Sequence, residues 1–269
     1  MAIVKSLFGL EGSIGEFTFY KMRGSNKVYM RKKRGPTKKK LANSPSYEKV
    51  RKHQKEFSGC AKFGSLARSS FGGLHQMADY NLTPFLIGMG KFIMKLDLIS
   101  ELGKRSIMLS DHTKIMEGFN FNRKCHFDTI LRVMLNVVVD RENLNAVITI
   151  PGIKPKYEIR NKYSCQVFRI IAVIGCLTDM IYNPNYEKYE PVVDNLRNAC
   201  NRINGEWYSI KSMVPEQTFT LQMPESRKAE ITDNVSLVLS IAIQFGEVGL
   251  NGLPVEKKYG GYGKVLKVF

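Results

Sequence analysis

Apolar and polar residues alternate most regularly over Val235–Phe245. Val235, Leu237, Leu239, Ile241, Ile243 and Phe245 fall on one face, and Ser236, Ser240 and Gln244 on the other. A period of two over such a run predicts a long, half-buried antiparallel strand. Val167–Val173 is apolar at nearly every position, which predicts a central strand covered on both sides. Val137–Val139 and Ala146–Ile150 flank a turn-rich Asp140–Asn145, and Thr218–Met223 alternates again. Lys264–Val268 reads as a closing strand after a glycine-rich turn at Gly260–Gly263. Asp194–Ile203 reads as a helix inserted between strands.

The first half has a different texture. Phe17–Tyr20 and Lys27–Arg31 are β-prone around a turn at Gly24-Ser-Asn26, with Phe17 and Phe19 on one face and Thr18 and Tyr20 on the other. A lone hairpin is marginal, so this one is expected to add to another sheet, in this chain or a neighbouring subunit. Arg31–Arg34 and Lys38–Lys40 lack apolar periodicity and read as an extended, solvated arm. Ser44 as N-cap and Pro45 at the first helical position start a helix running to about Phe57. Further helices are predicted over Ala61–Met77, weakened by Gly72-Gly73, over Pro84–Asp97, and over Ser110–Glu117, closed by Gly118. The fold class is therefore α+β: a basic N-terminal arm with a β-hairpin (1–44), a helical segment (45–122), and a C-terminal antiparallel β-sandwich (123–269).

Charge sharpens the picture. The 269 residues carry 41 Lys and Arg against 24 Asp and Glu, a net +17. Residues 1–70 hold 17 of the cations and 4 of the carboxylates, so +13 sits there and +4 on the other 199 residues. A localised excess of this kind is the usual electrostatic footprint of a polyanion binder. Lys21, Arg23, Lys27, Arg31, Lys32, Lys33, Arg34, Lys38, Lys39, Lys40, Lys49, Arg51, Lys52 and Lys55 are the candidate phosphate contacts. Phe17, Phe19, Tyr20, Tyr29 and Tyr47 interleave with them, as stacking rings do in single-strand binders. The two phenylalanines fit better as the hairpin's packing face.

Other chemistry finds little support. Gly12-Ser-Ile-Gly15 lacks the Lys-Ser/Thr of a P-loop and the third glycine of a dinucleotide fingerprint, and reads as a turn. His53, His75, His112 and His126 form no pair at metal-ligand spacing, and Cys125-His126 would point to opposite faces of a strand. Ser110-Asp-His112 holds triad residue types that, as neighbours, cannot form a triad among themselves. Asp140-Arg-Glu142 reads as a solvated loop. No cofactor or catalytic site is expected. Cys60, Cys125, Cys165, Cys176 and Cys200 contain no CxxC pair and read as free thiols of a cytoplasmic protein. No apolar run approaches the roughly 20 residues of a spanning helix.

Four segments together resemble a family of Bacteroidota proteins. Gly12-Ser-Ile-Gly-Glu-Phe-Thr-Phe-Tyr20 resembles the family's GTIGGITFYK opening. Leu41-Ala-Asn-Ser-Pro45 with Arg51, Glu56 and Phe57 resembles its IANDPAF…R…EF stretch. Gly118-Phe-Asn-Phe-Asn122 resembles its GFNFN, and Ile241–Val248 with Asn251, Gly252 and Tyr259 resembles its IEFFQEVNG…Y ending. The resemblance implies a source and an architecture rather than an activity. Lys38–Lys40 make this chain more basic than the family pattern. The function expected is a non-enzymatic protein contacting a polyanion, nucleic acid first, through its N-terminal third. The alternative is a structural subunit of a larger particle or filament, a homo-oligomer assembled through the arm and hairpin.

Overall fold

The computed structural model describes residues 11–22, 25–33 and 35–269, together with the backbone of 2–4. The chain forms two compact units, 1–51 and 52–269.

The first unit is built on a four-stranded antiparallel sheet, ordered β1 (Ala2–Val4), β4 (Val28–Lys32), β3 (Phe17–Lys21), β2 (Gly12–Ile14). The expected hairpin therefore gains its extra strands from this same chain. Gly15, at φ +54°, makes the tight turn from β2 to β3, as a residue without a Cβ can. Of the turn expected at Gly24-Ser-Asn26, Gly24 lies outside the described residues, as do Arg23 and Arg34. The extended reading of the arm is corrected: Lys38–Asn43 is a short helix, α1, whose N-cap Thr37 accepts a hydrogen bond at Oγ1 from Lys40 N at 3.2 Å.

Helix α2 spans Glu48–Ser70, preceded by a 3-10 turn at Pro45–Tyr47. Pro45 opens that turn, but Ser44 bonds Ser46 Oγ instead of capping with its side chain. Two helices were expected here and one is found. α2 runs on through Gly59, where a Cβ would lie 2.6 Å from Cγ of Tyr189, so the glycine serves a close contact. The helix stops at Gly72 and Gly73, with φ of +52° and +88°. A separate 3-10 turn follows at Leu74–Met77, then α3 at Thr83–Met94. The expected helix after Ser110 is a 3-10 segment, Ser110–Ile115.

The second unit centres on a sheet whose main path runs β10 (Cys200–Asn204), β7 (Val167–Thr178), β13 (Val235–Val248), β14 (Pro254–Val268), with β11 (Tyr208–Ser209) also paired to β7, while β8 (Met180–Asn183) and β9 (Lys188–Pro191) pair with each other. One face of β13 and β7, including Leu239, Ile241, Phe168 and Ile170, packs on a smaller sheet. That sheet is ordered β12 (Gln217–Gln222), β6 (Asn145–Ile150), β5 (Asn136–Asp140) and supplies Ile148, Ile150, Phe219 and Leu221. The two sheets form the C-terminal antiparallel sandwich. The opposite face of the central sheet, with Ile171, Val173, Val238 and Ala242, packs on Phe63, Ala67 and Phe71 and on Leu86 and Ile93 of α3.

This third layer corrects the half-buried expectation for β13. Ser236 and Ser240 lie on its second face and are buried beneath the helices. The expected helix at Asp194–Ile203 is instead a loop leading into β10, paired with β7 from Cys200↔Gly175 to Asn204↔Ile171. The expected turn at Gly260–Gly263 is the interior of β14. The actual turn lies at 249–253, where Gly252 has φ +74° and Gly249 N donates to Leu253 O. Gly261 and Gly263 serve close packing, since a Cβ would come 2.5 Å from Met77 Sδ and 2.7 Å from Phe121 Cδ2.

Candidate functional site

The first unit carries 13 Lys and Arg against 3 Glu. The β3–β4 register sets Thr18 opposite Arg31 and Tyr20 opposite Tyr29, so these four share one face. The tyrosine rings lie 6.0 Å apart at 31°, and the Arg31 guanidinium stands 5.5 Å from the Tyr20 centroid. Phe17, Phe19 and Met30 occupy the other face with Lys21 and Lys32. There Lys21 pairs with Glu11 at 2.9 Å and Lys32 with Glu16 at 2.8 Å. Lys33 Nζ donates to Gly15 O at 2.9 Å.

In α1, three successive lysines are exposed and fan around the axis at about 100° steps. Arg51 serves the fold as well as the charge: its Nη1 donates to Leu41 O and Ser44 O, both at 2.9 Å. Among the described residues, no carboxylate pairs with Lys27, Arg31, Lys38, Lys39, Lys40 or Lys49. With Lys33 and Arg51, whose acceptors are neutral carbonyls, these are the cations whose charge remains for a partner.

Lys52 and Lys55 belong to the second unit. The methylenes of Lys52 lie against Gly103. Lys55 Nζ donates to Glu187 at 2.9 Å and sits 5.7 Å from the Tyr182 centroid. That carboxylate holds the Lys55 pKa above its ordinary value.

The remaining motifs resolve into architecture. Ser110 Oγ donates to Asp179 Oδ2 at 2.5 Å, a partner far away in sequence. Asp140 accepts from Asn143 at the β5–β6 turn. Asn122 is buried; its Nδ2 donates to Met77 O and Gly261 O, and its Oδ1 accepts from Gly263 N. Phe119 and Phe121 pack with Phe71, and Asn120 pairs with Lys264 beside β14. The Gly118–Asn122 motif is thus a strap that ties the helical layer to the sheet. All five cysteines carry free thiols, four of them buried, and burial pushes the Cys176 thiol up to about 12.

Two polar groupings escaped the sequence. Glu56, fully buried, gathers Arg105, Lys91 and the amide of Gly103. Arg169 on β7 bonds Gln244 and Glu256 and lies over the Trp207 ring at 4.7 Å. Arg169 signals itself as a charge inside the apolar run Val167–Leu177, whereas Glu56, next to Lys55 in a charged stretch, gives no such signal. Among the described residues, no three His, Cys, Asp or Glu side chains converge as a metal site, and no helix is long and apolar enough to cross a membrane.

Fold and charge together define an α+β protein with a cation-rich N-terminal unit. Comparison with protein-family models, curated proteins and solved structures finds no match.

Proposed function

We propose that this chain is a non-enzymatic polyanion-binding protein whose partner is nucleic acid, held through phosphates with little dependence on sequence. The observation that carries this reading is the set of exposed cations in the first unit that lack a carboxylate partner among the described residues: Lys27, Arg31, Lys33, Lys49 and three consecutive lysines on α1. Spread over α1, the hairpin and the start of α2, they suit a line of phosphates better than a single small ligand. The Tyr20–Tyr29–Arg31 face adds rings on which an unpaired base can stack.

The test is fluorescence anisotropy with a labelled single-stranded oligonucleotide over a range of salt. Affinity should fall steeply, and replacing Lys38, Lys39 and Lys40 with Gln should reduce the log–log slope by about 2, at roughly 0.7 per lost contact. A flat salt dependence overturns the reading.

A second reading, a structural subunit of a larger assembly, is supported by β2. Among the described residues this edge strand leaves one side of its backbone unpaired, and Ile14 on it is 61% exposed. Such an edge suits strand addition from another copy. Deleting 1–44 should then abolish assembly while the sandwich stays folded, and assembly that survives the deletion refutes it.

A further inference from the structure

The second unit contains a cleft of about 490 Å³ between the 3-10 turn at Leu74–Met77 and one stretch of β14. Its polar walls include Arg202, Gln244, Glu256 and Lys258. None of these belongs to the N-terminal cation set.

The backbone is shaped around this space. Gln244 of β13 pairs with Gly261, whereas Gly246 pairs with Glu256, so residues 257–260 bulge out of the ladder. Within the bulge Tyr259 adopts φ +58°, left-handed backbone that costs a side-chain-bearing residue about 1–2 kcal/mol. The residue is 64% exposed, so burial does not offset that strain. On the opposite wall Gly73, at φ +88°, lets the chain pass against Arg202, since a Cβ there would lie 3.0 Å from Nη1.

The charges are held but incompletely used. Arg202 donates from Nε to Asn204 Oδ1 and from Nη1 to Gly72 O, both at 2.9 Å. Both acceptors are neutral, so the guanidinium is oriented while its charge stays uncompensated. Lys258 is exposed and has no carboxylate partner among the described residues. Glu256 accepts from Arg169 Nη2 at 3.2 Å and from Gln244 Nε2 at 3.0 Å, and both bonds fall on Oε2. Among the described residues, no donor reaches its Oε1.

We infer that this cleft binds a protonated phosphate, either hydrogen phosphate or a phosphate monoester, with Arg202 and Lys258 on the charged oxygens and Glu256 Oε1 accepting the P–OH. A carboxylate beside two cations repels a fully deprotonated oxyanion and accepts a hydrogen bond from one that keeps a proton. The site therefore selects phosphate over sulfate, which carries no proton near neutral pH. Lys27, Lys38, Lys39, Lys40 and Lys49 have no such carboxylate among the described residues and should treat the two ions alike, so the inference stands apart from the nucleic-acid reading.

The experiment is isothermal titration of the full chain at constant ionic strength and about pH 6, near the second ionisation of a phosphate monoester. The probes are inorganic phosphate, phenyl phosphate and sulfate. Phosphate should bind at least about tenfold tighter than sulfate, the worth of one charged hydrogen bond. Arg202→Gln and the surface change Lys258→Gln should each weaken phosphate binding severalfold, and Glu256→Gln should erase the preference over sulfate. Tighter binding of phenyl phosphate than of inorganic phosphate identifies an ester as the ligand, and the reverse identifies the free ion. Equal affinity for phosphate and sulfate, no binding of phosphate, or indifference to both Arg202→Gln and Lys258→Gln in folded protein overturns the inference.

Discussion

Arg105 meets Glu56 as a two-pronged pair, Nε to Oε1 at 2.7 Å and Nη2 to Oε2 at 2.8 Å. Lys91 adds a third cationic contact at 2.5 Å, and the Gly103 amide a fourth bond at 3.0 Å. The carboxylate is fully buried, so these partners replace all of its water. Glu56 thereby fastens α2 to α3 and to the segment after it.

Removing Glu56 leaves two partly buried cations without their shared carboxylate. Glu56→Ala should destabilise the protein by about 3–5 kcal/mol, read as a shift in urea midpoint. Burial alone would raise the Glu56 pKa, but Arg105, Lys91 and Gly103 hold it at about 2. Its folded pKa lies below the unfolded value, so its contribution is complete above about pH 4.3 and is lost as pH falls toward 2. Glu56→Gln should flatten the acid limb of the stability profile; an unchanged limb would contradict this account.

Asp179 has the opposite sign. Burial raises its pKa, and the bonds from Ser110 only partly offset that. Its folded pKa exceeds the unfolded value, so its contribution is present below about pH 3.9 and is lost as pH rises through the folded pKa. Asp179→Asn should match or exceed the wild type in thermal stability at pH 7, and the difference should shrink at pH 4. A larger deficit at pH 7 than at pH 4 would refute this.

Gly59→Ala reverses a familiar gain. In an open helix the change stabilises by about 1 kcal/mol. Here the methyl would meet the Tyr189 ring at 2.6 Å, so a loss of about 1–3 kcal/mol is expected from overpacking. A double-mutant cycle with Tyr189→Ala should show strong coupling, because both changes act on one contact. Additive effects would show that the strain lies elsewhere.

Asn122→Ala should cost about 2–4 kcal/mol, since it leaves the backbone groups of Met77, Gly261 and Gly263 short of partners in a dry setting. Calorimetric melting checks it, and a shift of only a degree or two would place the strap's strength in Phe119 and Phe121.

Where local chemistry decides, the sequence was readable. Alternation marks β12 and β13, an apolar segment beside a turn marks β6, and an apolar run interrupted only by Arg169 marks β7, because each strand's faces are set by its own layer. The misreadings share a cause. Gly261 and Gly263 look like a turn in the local text, and Gly59 falls between two expected helices, yet each is small because Met77, Phe121 or Tyr189 presses on it from a distant segment. Ser236 and Ser240 look solvated because their hydroxyls are polar, while the helical layer above them is visible only in three dimensions. The basic residues were legible as a cluster. Which of them the fold consumes was not, since Arg51's carbonyl partners and the Glu11 and Glu16 pairings depend on how strands and turns close.

The double covering of β13 bears on how the protein comes to be. Val235–Phe245 contains neither a charge nor a proline, and its partner β7 lies far upstream. That partner must wait for it through a slow, long-range pairing. Until the small sheet and the helices close over it, the strand is a bare, sticky ribbon of the kind that seeds aggregates. Production of this chain should therefore be limited by synthesis rate, temperature and chaperone supply more than by the stability of the finished fold.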